Sequence, residues 1–316
     1  DLEKESKPQR KQLGVFDTME EAIAACNKAY ELFRHYNKEQ RENIISEIRK
    51  LTHAEAEIMA KLAVEDTKMG NVYHKTLKHH LVADKTPGTE DLETRALSGD
   101  RGLTLVEMAP YGIIGAITPS TNPSCTVICN SISMLAGGNG VLFNPHPHAK
   151  RISAYAVDLV NRAVLAAGGP ENIVATVKNP TMETSKLMVN DPSVRMLVAT
   201  GGPGVVKMLL SSGKKAIGAG AGNPPVVVDD TADIPKAAKD IIDGCTFDNN
   251  LPCIAEKECF VMSNVADELI HYMLKNGAYM LTAAQTEQLV NVVLKDVPPK
   301  NPGDAPKKVI NKDWVG

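Results

Sequence analysis

Between residues 103 and 210 the chain repeats one pattern, and that pattern limits the folds open to it. A short run of strand-forming residues is followed by a turn of Pro, Gly, Asn or Thr and then by a stretch with helical spacing. The strand-like runs cover 103–108, 112–118, 141–143, 173–177 and 194–199, and the helical stretches cover 124–136, 149–167, 181–189 and 203–210. Strands joined by crossover helices lie parallel, so the pattern predicts an α/β fold with a doubly wound parallel sheet. Ligands bind such sheets beyond the carboxyl ends of the strands. Three turns fall there: Pro119 to Asn122, Asn144 to His148, and Thr200 to Gly204.

Composition narrows the partners. The 316 residues are 43% apolar and 23% charged, enough for two domains with real cores. A net charge of -3 gives no broad attraction to nucleic acid or anionic lipid, and neither is expected as a partner. No apolar run approaches the roughly 20 residues of a membrane span. Six cysteines, Cys26, Cys125, Cys129, Cys245, Cys253 and Cys259, are too sparse for a disulfide framework and are expected as reduced thiols inside a cell.

Residues 1–12 are mostly charged and read as a solvated leader. Thr18 and Glu21 form a capping-box pattern ahead of a stripe through Ile23, Cys26, Tyr30 and Phe33, and a second helix is expected over 38–66. A polar stretch with several histidines then runs to Gly88, where the His79-His80 pair is expected on a solvated helix face. A dinucleotide-binding domain is expected over 13–222, ending in the turn Gly218-Ala219-Gly220-Ala221-Gly222-Asn223-Pro224-Pro225. A second domain over 223–316 would hold Cys253. Because the chain opens at Asp1 and stops at Trp314-Val315-Gly316, this second domain is expected to be truncated.

Cys253 stands between the polar turn Phe247-Asp248-Asn249-Asn250 and a strand-like run. A thiol of pKa ~8.5 is only about 3% ionised at pH 7, so an effective nucleophile needs a setting that favours its thiolate. The plainer alternative, a buried inert thiol, is preferred for Cys26, Cys245 and Cys259. Cys125 and Cys129, four apart on a small-residue helix, suggest close packing. Neither they nor His146-Pro147-His148 complete a CxxC or HExxH ligand set, so no metal is expected. Glu256, Lys257 and Glu258 read as exposed charges. Thr200-Gly201-Gly202-Pro203-Gly204 follows a strand and opens a helix, where bare backbone can approach a phosphate.

The Cys253 segment resembles the nucleophile region of the aldehyde dehydrogenase superfamily, in particular its coenzyme A-acylating branch of microcompartment propionaldehyde and acetaldehyde dehydrogenases. The similarity runs from Leu13 through nearly the whole chain. It includes Thr118-Pro119-Ser120-Thr121-Asn122-Pro123, Phe143-Asn144-Pro145-His146-Pro147, Val198-Ala199-Thr200-Gly201-Gly202 and the glycine-rich turn at Gly218. The resemblance implies NAD and coenzyme A as cofactors, a short-chain aldehyde, first of all propionaldehyde, as substrate, and an acyl-CoA product formed through a thioester on Cys253. It makes Cys253 and Asn122 the catalytic candidates. Thr118, Pro119, Ser120, His146, Thr200, Gly201, Gly202, Ala219 and Gly220 become the cofactor-binding ones.

Asn122 and the Cys253 backbone N–H are the candidate oxyanion donors. A gapless alignment to hydrolytic relatives puts Thr121 in their asparagine slot, and an Asx-turn before Pro123 is the alternative use of Asn122. Ala219 aligns with the glutamate that activates water in those relatives, and Asn144 with a lysine near their cofactor. The resemblance further implies an oligomeric family, a bacterial cytoplasmic setting in a microcompartment lumen, and shell proteins as partners. Two other functions stay open: a catalytically silent fragment that serves as a binding or packaging module, and a hydrolytic aldehyde dehydrogenase.

Overall fold

The computed structural model describes residues 11–220, 222–297 and 307–311. The charged leader up to Arg10 and the Pro-rich stretch after Val297 lie outside them. The chain divides into one unit of Asp1–Thr67 and Asn71–Ala221 and a second of Lys68–Gly70 and Gly222–Gly316.

The first unit begins with β1 (Val15–Phe16), α1 (Met19–Phe33), α2 (Lys38–Thr67) and α3 (Val72–Lys85). A hairpin follows, β2 (Arg95–Gly99) with β3 (Gly102–Val106), and then the alternating stretch: β4 (Ile113–Thr118), α4 (Pro123–Ala136), β5 (Gly140–Pro145), α5 (Lys150–Ala166), β6 (Val174–Val177), α6 (Met182–Asn190), β7 (Val194–Thr200), α7 (Pro203–Leu210) and β8 (Lys215–Ala219). The sequence reading missed four of these elements, β1, α3, β2 and β8. The capping box of α1 is formed in both directions: Glu21 N–H donates to Thr18 Oγ1 at 3.2 Å and Thr18 N–H to Glu21 Oε2 at 3.3 Å.

Six strands build one parallel sheet in the order β1-β6-β5-β4-β7-β8. Side chains alternate across it, and the two faces feed two cores. Ile114 and Ala116 of β4, with Val141 and Phe143 of β5, pack with α2, α4 and α5 residues such as Ile48, Ile132 and Val160. Ile113, Ile117 and Leu142 pack on the other side with Ile23, Met188 and Leu209. Both faces are covered, as a doubly wound sheet requires. Truncating a wholly buried side chain such as Leu142 to Ala should cost about 2–5 kcal/mol.

After β4 the chain steps outward to β5 and β6 and then returns to place β7 on the opposite flank of β4. The topological switch point therefore lies between the carboxyl ends of β4 and β7.

The second unit contains β9 (Pro225–Val228), α8 (Ile234–Thr246), β10 (Glu258–Val261), α9 (Ala266–Lys275), α10 (Ala283–Val293), β11 (Leu294–Val297) and β12 (Lys307–Ile310). β9 and β10 pair in parallel through the α8 crossover, with Val228, Ile234, Ala238, Ile241 and Leu269 as their buried core. Cys253 lies in the connection from α8 to β10.

Candidate active site

The register of the parallel sheet sets several candidate residues side by side. Thr118 is opposite Pro145, Ile117 opposite Ala199, and Thr200 opposite Ala219. Backbone bonds continue the line, from His146 N–H to Thr118 O and from Gly201 N–H to Ala219 O, each 3.0 Å. Thr118, Pro119, Ser120, Asn122, His146, Thr200, Gly201, Gly202, Ala219 and Gly220 thus share the carboxyl edge of one sheet. Cys253 belongs to the other unit.

Two observations at this edge point outward, toward a ligand. Thr118 is 1% exposed, yet its Oγ1 makes no hydrogen bond among the described residues. At Gly201, Gly202, Gly204 and Gly220, an added Cβ would meet nothing within 4 Å, and none of them has a left-handed φ. Neither backbone conformation nor neighbouring atoms of the described residues demand glycine there. Bare backbone at the start of α7 suits close approach by a phosphate, because Gly202 caps that helix without a side-chain bond and the Gly204 N–H has no partner among the described residues, Pro203 having no N–H and Val205 N–H bonding Gly202 O at 3.1 Å. Gly218 differs, since a Cβ there would lie 2.6 Å from Val206 Cγ1 and spread α7 from β8.

Asn122 is the N-cap of α4, but its side chain makes no capping bond. The Asx-turn alternative is therefore not adopted. Its Oδ1 instead accepts a hydrogen bond from Lys78 Nζ of α3. One residue on, His79 accepts at Nε2 from Ser124 Oγ at 2.8 Å, while its Nδ1 donates to the Lys75 carbonyl at 2.7 Å. That donation fixes the neutral tautomer. Burial pushes the His79 pKa down to about 4, against the pull of the Lys75 carbonyl and with help from the Lys78 and Lys75 charges. The expected solvated position of His79 is corrected: it is 1% exposed. Lys78 and His79 were missed as site neighbours, although Lys75, Lys78 and His79 at i, i+3 and i+4 carried a signal of one helix face.

His146 is exposed, and its Nδ1 accepts from His148 N–H at 3.2 Å. Asn144 is buried, donating to Thr181 O at 3.2 Å and Ser185 Oγ at 2.7 Å and accepting from Thr184 Oγ1 at 2.7 Å. It fastens the start of α6. Where hydrolytic relatives carry a lysine, this side chain serves as an internal clamp.

In the second unit, three consecutive residues before Cys253, Asp248, Asn249 and Asn250, have φ of 47°, 56° and 58°. Asp and Asn tolerate this left-handed region best among residues with a side chain, and a run of three is still strained. Gly70 makes room for it, because a Cβ there would lie 2.1 Å from Asp248 Oδ1. Asn250 Nδ2 closes the segment with bonds to Cys245 O at 2.6 Å and Glu256 O at 3.2 Å. Cys253 follows in a turn closed by Ala255 N–H to Pro252 O at 3.0 Å, and Lys257 Nζ bonds the carbonyls of Ala255 at 3.1 Å and Pro252 at 3.4 Å.

Cys253 is exposed and Cys26 is buried with its thiol pushed up to about 12, chiefly by desolvation. Burial also raises Cys245, which is half-buried, and Cys259. Cys259 is nevertheless exposed, which corrects the expectation of a buried thiol there. Glu256 is half-buried rather than exposed.

Among the described residues no cluster of three or more His, Cys, Asp or Glu side chains could hold a metal ion. A groove of about 710 Å³ lined by residues including Lys11, Leu62, Arg151, Tyr155 and Lys178 takes in none of the candidate residues.

The aldehyde dehydrogenase family profile matches residues 11–288. The acetylating acetaldehyde dehydrogenase EutE of Salmonella typhimurium is 46% identical over 306 residues, which cover 96% of this chain and 64% of that protein. A propionaldehyde dehydrogenase from the fucose-utilisation microcompartment of Clostridium phytofermentans is 60% identical in its solved structure. It superposes with a TM-score of 0.86 over 90% of this chain and 66% of that one. A Rhodopseudomonas palustris propionaldehyde dehydrogenase, solved with coenzyme A bound and a cysteine acylated, is 52% identical with a TM-score of 0.84, covering 89% of this chain and 65% of that one. The chain thus spans a little under two thirds of the relatives it matches.

Proposed function

The chain belongs to the aldehyde dehydrogenase family, and from that premise we propose that it carries the cofactor edge and the nucleophile of a coenzyme A-acylating aldehyde dehydrogenase. The single observation that carries the proposal is the setting of Cys253. It is an exposed thiol in a short turn that follows a strained, hydrogen-bonded Asp-Asn-Asn segment. The acylated cysteine of the R. palustris relative supports the same role.

Cys253 Sγ adds to the aldehyde carbon, the carbonyl oxygen gains charge, and departure of hydride leaves an acyl thioester on the sulfur. The thiol of coenzyme A then takes the acyl group and releases the cysteine. Ala219 has no group that can accept a proton from water, which favours transfer to a thiol over hydrolysis. Asn122 Nδ2 is the side-chain donor for the charged oxygen, with the Cys253 N–H as its companion. A nicotinamide dinucleotide, when bound, supplies the hydride acceptor. Thr118 Oγ1, which has no partner among the described residues, the open glycines at 201, 202 and 220, and the α7 N-terminus are the groups of this chain that fit it.

Propionaldehyde is the proposed substrate, supported by the two propionaldehyde dehydrogenases of similar structure. The microcompartment origin of the C. phytofermentans relative supports a microcompartment lumen as the proposed setting, where shell proteins are the proposed partners. Among the described residues no helix is long and apolar enough to cross a membrane.

Peptide mass spectrometry after incubation with propionaldehyde and NAD+ tests the proposal. A propionyl group should sit on the Cys253 peptide, leave on addition of coenzyme A, and be absent in Cys253→Ala. An adduct that persists in Cys253→Ala, or one that water removes as fast as coenzyme A does, would overturn it.

A further inference from the structure

The turn that carries Cys253 is held by a cation with a carboxylate on either side of it in the sequence. Lys257 stands between Glu256 and Glu258, yet among the described residues its ammonium pairs with neither. Nζ turns back instead onto the carbonyls of Ala255 at 3.1 Å and Pro252 at 3.4 Å. These are the last and first residues of the turn in which Cys253 is second, the turn closed by Ala255 N–H to Pro252 O at 3.0 Å. The root of the lysine side chain is fixed as well. Lys257 N–H donates to Pro224 O at 3.1 Å, and Glu258, the next residue, opens the parallel pairing of β10 with β9 opposite Pro225.

Peptide geometry says what this clamp does. The chain's described peptides are all trans, and Pro252 C=O and Cys253 N–H share one planar unit, so the two groups point in opposite directions. Two donors, Ala255 N–H and Lys257 Nζ, draw Pro252 O into the turn, and Cys253 N–H is thereby aimed out of it. That N–H makes no hydrogen bond among the described residues. Flipping this peptide would take Pro252 O away from both donors and turn the Cys253 N–H inward. An ammonium has three N–H groups and no acceptor, so it holds the carbonyl end and can never hold the N–H end.

We propose that Lys257 is a positioning residue: by holding the Pro252 and Ala255 carbonyls it keeps the Pro252–Cys253 peptide turned so that Cys253 N–H is presented to the oxygen that gains charge when Cys253 is acylated. The assignment rests on the nucleophile role of Cys253 proposed above. A donor fixed in advance needs no reorganisation as the charge develops.

Two reagents, each followed on the Cys253 peptide by mass spectrometry, separate an effect on the peptide from an effect on the sulfur. With p-nitrophenyl propionate, Cys253 Sγ bonds the ester carbon, the carbonyl electron pair moves onto oxygen, and its return expels p-nitrophenolate to leave a propionyl thioester. Iodoacetamide forms its carbon–sulfur bond with loss of iodide, and no oxygen gains charge. Lys257→Met should slow acylation at least about tenfold at saturating ester with the half-saturating concentration unchanged, and should leave alkylation within about twofold of wild type. Lys257→Arg, which also only donates, should recover most of the loss. Thermal melts check the fold, and Lys257→Ala replaces the methionine variant if that one does not fold. A wild-type acylation rate without the lysine would overturn the assignment, as would an equal fall in acylation and alkylation, which would put the effect on the sulfur. Absence of a propionyl group on Cys253 in the wild-type chain would overturn the nucleophile role itself, and this assignment with it.

Discussion

Gly222 lies tight against the Cys253 carbonyl: a Cβ on Gly222 would lie 3.0 Å from Cys253 O and 3.7 Å from Pro224 Cδ. The glycine has no left-handed φ, so alanine there meets no backbone strain, only this contact. Relief requires the Cys253 peptide to shift by a few tenths of an ångström. Gly222→Ala is expected to cost under about 1 kcal/mol of stability. Acylation of Cys253 should nevertheless slow by about tenfold or more, because reacting groups tolerate little misplacement. Thermal melts alongside adduct formation check both halves, and an unchanged rate would show that the nucleophile turn absorbs the shift.

His79 makes stability depend on pH in a definite window. Its folded pKa of about 4 lies below the ordinary histidine value of 6.5, so between those values the unfolded chain binds more protons than the folded one. Stability is therefore fully present above about pH 6.5, falls as the pH drops toward 4, and loses nothing further from this group below that. The full loss is on the order of 3 kcal/mol for a shift of this size. Urea midpoints at pH 7, 5.5 and 4.5 for wild type and His79→Gln should show the variant weaker at pH 7 but flatter below it. Parallel slopes would mean that His79 titrates normally in the folded chain.

The same histidine shows where the sequence misled. Where apolar residues run continuously through a strand buried on both faces, as in β4 and β5, or recur at helical spacing, as in α1, hydrophobic patterning identified the element before the structure did. It failed at α3, because the buried face is Lys75, Lys78, His79 and Ala83 while Tyr73, Leu77 and Leu81 point outward. A pattern search reads that helix as a polar stretch. Asn71, whose side chain accepts from His74 N–H at 2.8 Å, was the one local cue to its start. β2 was missed because Arg95-Ala96-Leu97-Ser98-Gly99 has no β-branched or aromatic residue, whereas its equally exposed partner β3 carries Leu103, Thr104, Leu105 and Val106. The carboxyl-edge turns were legible because strand ends in a parallel sheet follow from topology. The Lys78–Asn122 bond was not, because it joins elements 44 residues apart.

Cysteine reactivity should separate cleanly between the two units. Cys26 is wholly buried, donates to Ile173 O at 3.4 Å, and stays protonated with its thiol pushed up to about 12. Cys253 is exposed. Brief iodoacetamide treatment of the folded protein at pH 7.5 should label the Cys253 peptide and spare Cys26, and denaturation should remove the difference. Prior acylation with propionaldehyde and NAD+ should protect Cys253 alone. Labelling of Cys253 that is indifferent to acylation would place the acyl group on another residue.

Glu55 links α2 to α5 through a two-pronged ion pair. Its Oε1 and Oε2 accept from Arg162 Nη1 and Nη2 at 2.7 and 2.8 Å, and Tyr155 Oη donates to Oε2 at 2.7 Å. Arg162 Nε also reaches Asp158 Oδ2 at 3.0 Å, while Asp158 Oδ1 accepts from Leu13 N–H at 2.8 Å. Burial and the Glu55 carboxylate raise Tyr155 to about 12, so its hydroxyl remains a donor throughout the stable pH range. Removing one partner strips the other of its two-pronged bond while it stays half-buried, with Arg162 keeping Asp158 and Glu55 keeping the Tyr155 hydroxyl, and that loss costs more than the pair is worth when both are present. Glu55→Ala is therefore expected to lower stability by about 3 kcal/mol, and Arg162→Met by less, since Glu55 keeps the tyrosine. The double variant Glu55→Leu with Arg162→Met should recover part of the loss, because two apolar side chains of similar volume no longer leave a charge unmatched. Urea denaturation of the three variants measures the coupling; additive losses would mean that the pair is solvated and contributes little to the α2–α5 contact.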